Sequence, residues 1–148
     1  MNLLIESTLK TLQKSKSLLS FLSNEQLSDA SVPPYYSSIG SHLRHILDFY
    51  ECVFSASDNI VDLTERRRNP LVECDCNCAN DYLDKIINNL KSFNDLEREV
   101  EVIDDLGLGK LTTKYTMSAI LVQANSHTIH HYAFISYIVD GWNKIVND

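Results

Sequence analysis

Residues 116–143 read TMSAILVQANSHTIHHYAFISYIVDGWN, and the fold turns on how this stretch is read. It holds no proline and a single glycine near its end, and its apolar residues recur at helical spacing rather than alternating. At about 100° per residue, with His127 as zero, Ile120 and Ile138 fall at about 20°, Ala124 and Trp142 at about 60°, and Met117 and Ile135 at about 80°. These define the buried stripe of a long amphipathic helix. On the same scale His131 sits at about 40°, inside the stripe with His127, and His130 at about −60°, on its margin.

Working back along the chain, residues 3–22 carry Leu4, Leu9, Leu12, Leu18, Leu19 and Leu22 on one side, with Glu6, Lys10, Lys14 and Lys16 on the others, the pattern of a first helix. Ser23-Asn24-Glu25-Gln26 has the form of a capping box and opens a short second piece that Pro33-Pro34 stops. Ser37 or Ser38 caps the next long helix, whose broad apolar face holds Ile39, Leu43, Ile46, Leu47, Tyr50, Val53 and Phe54. Residues 57–78 lose periodicity and read as a long loop, the kind of segment that is usually functional or mobile. A third long helix begins near Asn77 or Asn80, buries Tyr82, Leu83, Ile86, Ile87, Leu90 and Phe93, and ends before Glu99. EVEVIDD at 99–105 alternates briefly, and the two glycines and threonines after it suggest a turn or small hairpin. Four long helices with few breakers predict an all-α four-helix bundle, one domain over residues 1–148, with the long loop between the second and third long helices.

Composition narrows the function. The chain has 148 residues, 44% hydrophobic and 22% charged, an ordinary globular balance. Its net charge is −7, and the one basic concentration is Arg66-Arg67-Arg68, so nucleic acid and anionic membrane are not expected partners. No segment approaches the length of a membrane span, and the start lacks a basic cluster followed by an apolar run. Of four cysteines, Cys74, Cys76 and Cys78 lie within five residues, too crowded to staple distant parts of a fold, which predicts a reduced, cytoplasmic protein. Their spacing is also wrong for paired C-x-x-C zinc ligands, and Cys52 reads as a small core residue. Neither a phosphate loop, nor G-x-S-x-G, nor a dinucleotide fingerprint is present.

All five histidines fall on two helices, His42 and His45 on one, His127, His130 and His131 on the other. A lone imidazole on an apolar face is more often a core residue with its hydrogen bonds met. A pair four residues apart differs, because its Cβ atoms are about 5–6 Å apart and both rings reach one ion at about 2.0–2.1 Å. A third ligand must come from the other helix, which offers His42, His45, Asp48 and Glu51. Periodicity alone favours His42, since the apolar arc centres there and His45 lies about 60° away. Arg66, Arg67 and Arg68 either clamp an anion or form a solvated charge run, and Asp48, Asp62 and Glu73 either orient an imidazole or are surface charges.

Three segments then carry a likeness: SIGSHLRHILD at 38–48, DLTERRRNPLVE at 62–73 and SHTIHHYA at 126–133. They resemble the metal-binding signatures of the DinB/YfiT-like superfamily of helical bundles, in a DinB-like subgroup with SIG-x-H-x-RHILD, D-x-x-x-R-x-R-x-x-x-x-E and SHT-x-HHYA. The resemblance implies that His45, His127 and His131 bind a divalent metal; imidazole ligands suit zinc, nickel, iron and copper alike, and zinc or nickel is the expectation. The subgroup's loop pattern falls on Asp62, Arg66, Arg68 and Glu73; beside the ligands on the helices, His42, His130 and Asp48 are candidates for supporting them or contacting substrate, with His130 and Asp48 equally readable as solvated groups. The resemblance further implies a small-molecule substrate, with low-molecular-weight thiols used by S-transferases and isomerases of the superfamily, and a homodimer. Hydrolysis is the nearest enzymatic variant, and a non-catalytic metal-binding or stress-response bundle is the alternative. Neither pattern nor likeness names a catalytic residue; His42 and His130 are the candidate bases.

Overall fold

The fold is seen in a computed structural model that describes residues 2–147. Its four long helices are α1 (Leu3–Leu19), α3 (Ile39–Phe54), α5 (Cys76–Ser92) and α6 (Met117–Asn147), with short α2 (Asn24–Ser28) and α4 (Leu71–Cys74) between them. Each start is capped where the sequence supplies a short polar side chain. The Asn2 side chain accepts from the Leu4 and Ile5 amides, Ser38 from Ser41, and Asp75 from Asn77 and Cys78, while Ser23 and Gln26 close a full capping box on α2.

The long helices form a closed ring, α1 against α5, α5 against α3, α3 against α6 and α6 against α1. The core between them holds Ile5, Leu12, Leu43, Ile46, Leu83, Ile86, Met117 and Ile120, all buried. Burial of each such side chain contributes about 1.5–3 kcal/mol.

The all-α expectation is overturned by a three-stranded mixed sheet. Strand β1 (Ile60–Asp62) pairs parallel with β2 (Glu99–Asp105), placing Val61 opposite Val102, and β2 pairs antiparallel with β3 (Lys110–Thr116), placing Val100 opposite Tyr115. The molecule is therefore mixed α and β rather than a four-helix bundle alone. Val61, Val100 and Val102 are buried against the helices, so the sheet closes part of the core. The segment expected to be one long loop is thus divided into β1, a bend, α4 and the start of α5. At the hairpin, Gly107 and Gly109 take φ of 116° and 109°, a region that glycine enters at little cost, and Asp105 Oδ1 accepts from both amides. No helix among the described residues is long and apolar enough to cross a membrane.

Candidate metal centre

Helix α3 brings His42 and His45, one turn apart, to the seam where it packs on α6. Helix α6 presents His127 and His131 across that seam. One ring nitrogen from each of His45, His127 and His131 lies within 4.8 Å of the others, the one such convergence of three His, Cys, Asp or Glu groups among the described residues. Ring centroids are 4.8 Å apart for His45 and His127, 4.7 Å for His45 and His131, and 4.5 Å for His127 and His131.

The two Nε2 atoms of His127 and His131 are 3.2 Å apart. That is close to the edge, about 3.3 Å, of a tetrahedron whose metal–nitrogen bonds are about 2.0–2.1 Å. His45 stands further back, its Nδ1 lying 3.2 Å from Nη1 of Arg66. The donor set fits a divalent ion of borderline softness, and ligation by His45 requires that its lone pair serve the ion in place of Arg66. Nδ1 of His127 is buried and meets no hydrogen-bond partner among the described residues.

Burial and charge keep these rings neutral. Burial pushes His45 down to about 4, helped by the Arg66 charge, and His127 likewise to about 4. His131 falls to about 3, through burial and then the adjoining His127, His45 and His42. His42 is lowered too, by burial and by His130. At neutral pH each ring therefore offers a lone pair, which metal ligation requires.

His42, favoured by periodicity, serves His131 instead of joining the trio: the two Nδ1 atoms are 2.8 Å apart, and His42 Nε2 is 2.8 Å from the Ser37 hydroxyl. The His42 ring stacks on Phe134, with centroids 5.2 Å apart at 9°, and Phe49 lies 5.0 Å from His127. Nothing in the sequence marked Ser37 or Phe49 as neighbours of the site. His130 is exposed, its ring edge-on to His131 and Phe134.

The segment after β1 forms one wall. Asp62 accepts from the amide and hydroxyl of Thr64, the Leu63 amide donates to Ile103, and Cys52 Sγ donates to the Glu65 carbonyl. Arg67 pairs with the buried Glu51 at 3.0 Å, and the Arg68 amide donates to Asp48. Arg66, just before them, is half-buried, its Nε donating to the Leu63 carbonyl at 3.2 Å.

Asp48 and Glu73 hydrogen-bond to no histidine. Asp48, 1% exposed, accepts from Arg44 at 2.7 Å and from the Tyr82 hydroxyl at 2.8 Å, and Glu73 accepts from Arg44 at 3.1 Å. The Arg68 side chain is exposed, and its backbone amide reaches Asp48 rather than a histidine. Cys74, Cys76 and Cys78 are free and lie outside the converging group, and Cys52 is buried, with its thiol pushed up to about 11 by that burial. A groove of about 790 Å³ opens on the sheet side, lined by Asp58, Glu99, Glu101, Lys114 and Tyr115 among others, and holds none of the histidines. No known protein family, no curated protein and no solved structure matches the chain.

Proposed function

We propose that this chain is a metal-dependent enzyme in which His45, His127 and His131 hold a divalent ion, zinc or nickel, for work on a small molecule such as a low-molecular-weight thiol. The observation that carries the reading is the meeting of three neutral imidazoles from α3 and α6, two of them with Nε2 atoms 3.2 Å apart. Three protein ligands leave an exchangeable position, the pattern of catalytic rather than structural zinc. What a divalent ion held by these three histidines would supply is a lowered pKa for a water or thiol, and so a nucleophile at neutral pH.

The protein's own groups do the rest. Phe49 and Phe134 line the imidazoles with apolar surface and limit water around them. His42 holds the outer nitrogen of His131, and Arg66 supplies a positive group beside His45. The thiol chemistry is supported by the likeness of the three sequence segments described above, and the ion by the all-imidazole donor set, which suits zinc or nickel.

Elemental analysis of the native protein beside a His127→Ala/His131→Ala variant tests the reading. Stoichiometric metal in the first and its loss in the second are expected, and equal content in both removes the proposal. A loaded site whose spectrum does not respond to a small thiol removes the thiol chemistry and favours a metal-binding role in which the ion joins α3 to α6.

A further inference from the structure

Arginines crowd the flank of the three histidines, and their charges are handled differently. Arg44 pairs with Asp48 and Glu73, and Arg67 pairs with Glu51. Arg66 has no carboxylate within ion-pair distance among the described residues, although it is half-buried. Withdrawing a guanidinium from water without a counter-charge is costly. The cost is not relieved by mobility, because the segment is fastened on both sides: Cys52 Sγ reaches the Glu65 carbonyl, Arg67 reaches Glu51 and the Arg68 amide reaches Asp48.

The free valences of Arg66 have a definite shape. A guanidinium carries five N–H donors in one plane. Nε is spent on the Leu63 carbonyl, whereas the Nη1 contact to His45 Nδ1 belongs to the metal-free site, because a neutral His45 that ligates an ion has no lone pair left to accept from Arg66 and so releases that hydrogen as well. The remaining hydrogens lie on Nη1 and Nη2, the end-on fork that matches the two oxygens of a carboxylate. None of the three converging ligands is a carboxylate, so with a dication present the positive charges of ion and guanidinium stand side by side, unneutralised by the protein.

We infer that the site receives a small organic anion, a carboxylate-bearing molecule whose carboxylate is held by Arg66 while its other end lies at the three histidines. This rests on the metal reading above and narrows its substrate class: an acidic thiol is accepted and an uncharged one is not favoured.

Cobalt-loaded protein, with metal content measured in every sample, is titrated with mercaptoacetate and separately with 2-mercaptoethanol, following the thiolate-to-cobalt absorption. Wild type is expected to bind mercaptoacetate about tenfold or more tightly than 2-mercaptoethanol, the size of one charge-assisted hydrogen bond. In Arg66→Gln the ratio should fall to about twofold or less, and Arg66→Lys should recover part of it. Wild-type protein that takes up no cobalt overturns the metal reading and this inference together. Metal uptake without a preference for the acidic thiol overturns the inference alone. So does a preference that survives in Arg66→Gln, which assigns it to chelation, or loss of metal from that variant, which gives Arg66 a purely structural part.

Discussion

Nδ1 of His42 and Nδ1 of His131 stand 2.8 Å apart, and the other nitrogen of each ring is also engaged, with Ser37 and with His127. A neutral imidazole has one donor and one acceptor nitrogen, so setting any one of these contacts sets the rest. When Nε2 of His131 gives its lone pair to an ion, its Nδ1 carries the proton and donates to His42, whose Nε2 then donates to Ser37. His42→Phe keeps the stack on Phe134 but removes this acceptor. Zinc affinity measured against a chromophoric chelator should fall about 10–100-fold, the usual effect of losing a group that orients a ligand, and His42→Gln should restore part of it. Unchanged affinity in His42→Phe would mean that His131 is oriented by packing alone.

The depressed histidines also set an acid limit on the metal-free protein. Unfolded, each ring titrates near its ordinary 6.5, whereas folded His45 and His127 do so at about 4 and His131 at about 3. Between those values the unfolded chain binds protons that the folded chain refuses, so stability is whole above about pH 7 and is lost as pH falls toward 4. Asp29 and Asp62, whose carboxyls are held below 3.8 by the hydrogen bonds of Trp142 and Thr64, act only at lower pH. Melting of chelator-treated protein should be clearly lower at about pH 5 than at about pH 7.5, with a smaller difference in His131→Phe. A melting temperature that does not move between the two would contradict the depressed values.

The long helices were legible because each buries a stripe at helical spacing, as Leu83, Ile86, Ile87 and Leu90 do on α5. The sheet was not. Strand β1 has three residues, and its pairing of Val61 with Val102 is a contact between distant parts of the chain that no local pattern announces. Strand β3 is exposed over its first five residues, so KLTTKYT shows no apolar alternation, whereas Val100 and Val102 give β2 its visible rhythm. At the site, the pair on α6 could be read from spacing, but the partner on α3 could not. Helix α3 buries Asp48 and Glu51 along with its apolar residues, since α4, α5 and β1 also cover it. Its buried face is therefore wider than its hydrophobic arc, and the centre of that arc points at His42 while His45 joins the trio.

Gly40 is required by a close approach of backbones. A Cβ placed there would overlap the carbonyl oxygen of Glu73 in α4 and stand 2.7 Å from its carbonyl carbon and Cα. Alanine is intrinsically better than glycine inside a helix by about 1 kcal/mol, so the clash must exceed that gain. Gly40→Ala is expected to destabilise by a net of about 1–2 kcal/mol in denaturant unfolding, the range for overpacking against groups that cannot rotate away. Stabilisation instead would show that α4 can move off α3 freely.

Asp48 separates stability from ligation. Its carboxylate gathers Arg44, the Tyr82 hydroxyl and the Arg68 amide, tying α3 to α5 and to the segment that carries Arg66, yet it makes no hydrogen bond to His45. Breaking a buried charge pair by removing one partner usually costs about 3–5 kcal/mol. Arg44 keeps Glu73 and is itself partly exposed, so Asp48→Ala should lie toward the lower end of that range. Freed from its acceptor, the Arg68 amide should exchange with solvent faster than in wild type. Zinc affinity at a temperature where the variant is fully folded should change much less than in His42→Phe, because the three ring nitrogens and the His42 contact are left in place. If zinc affinity instead falls as far as in His42→Phe, the carboxylate holds His45 in position through Arg44 or the Arg66 segment, and the division between scaffold and site drawn from these hydrogen bonds is wrong.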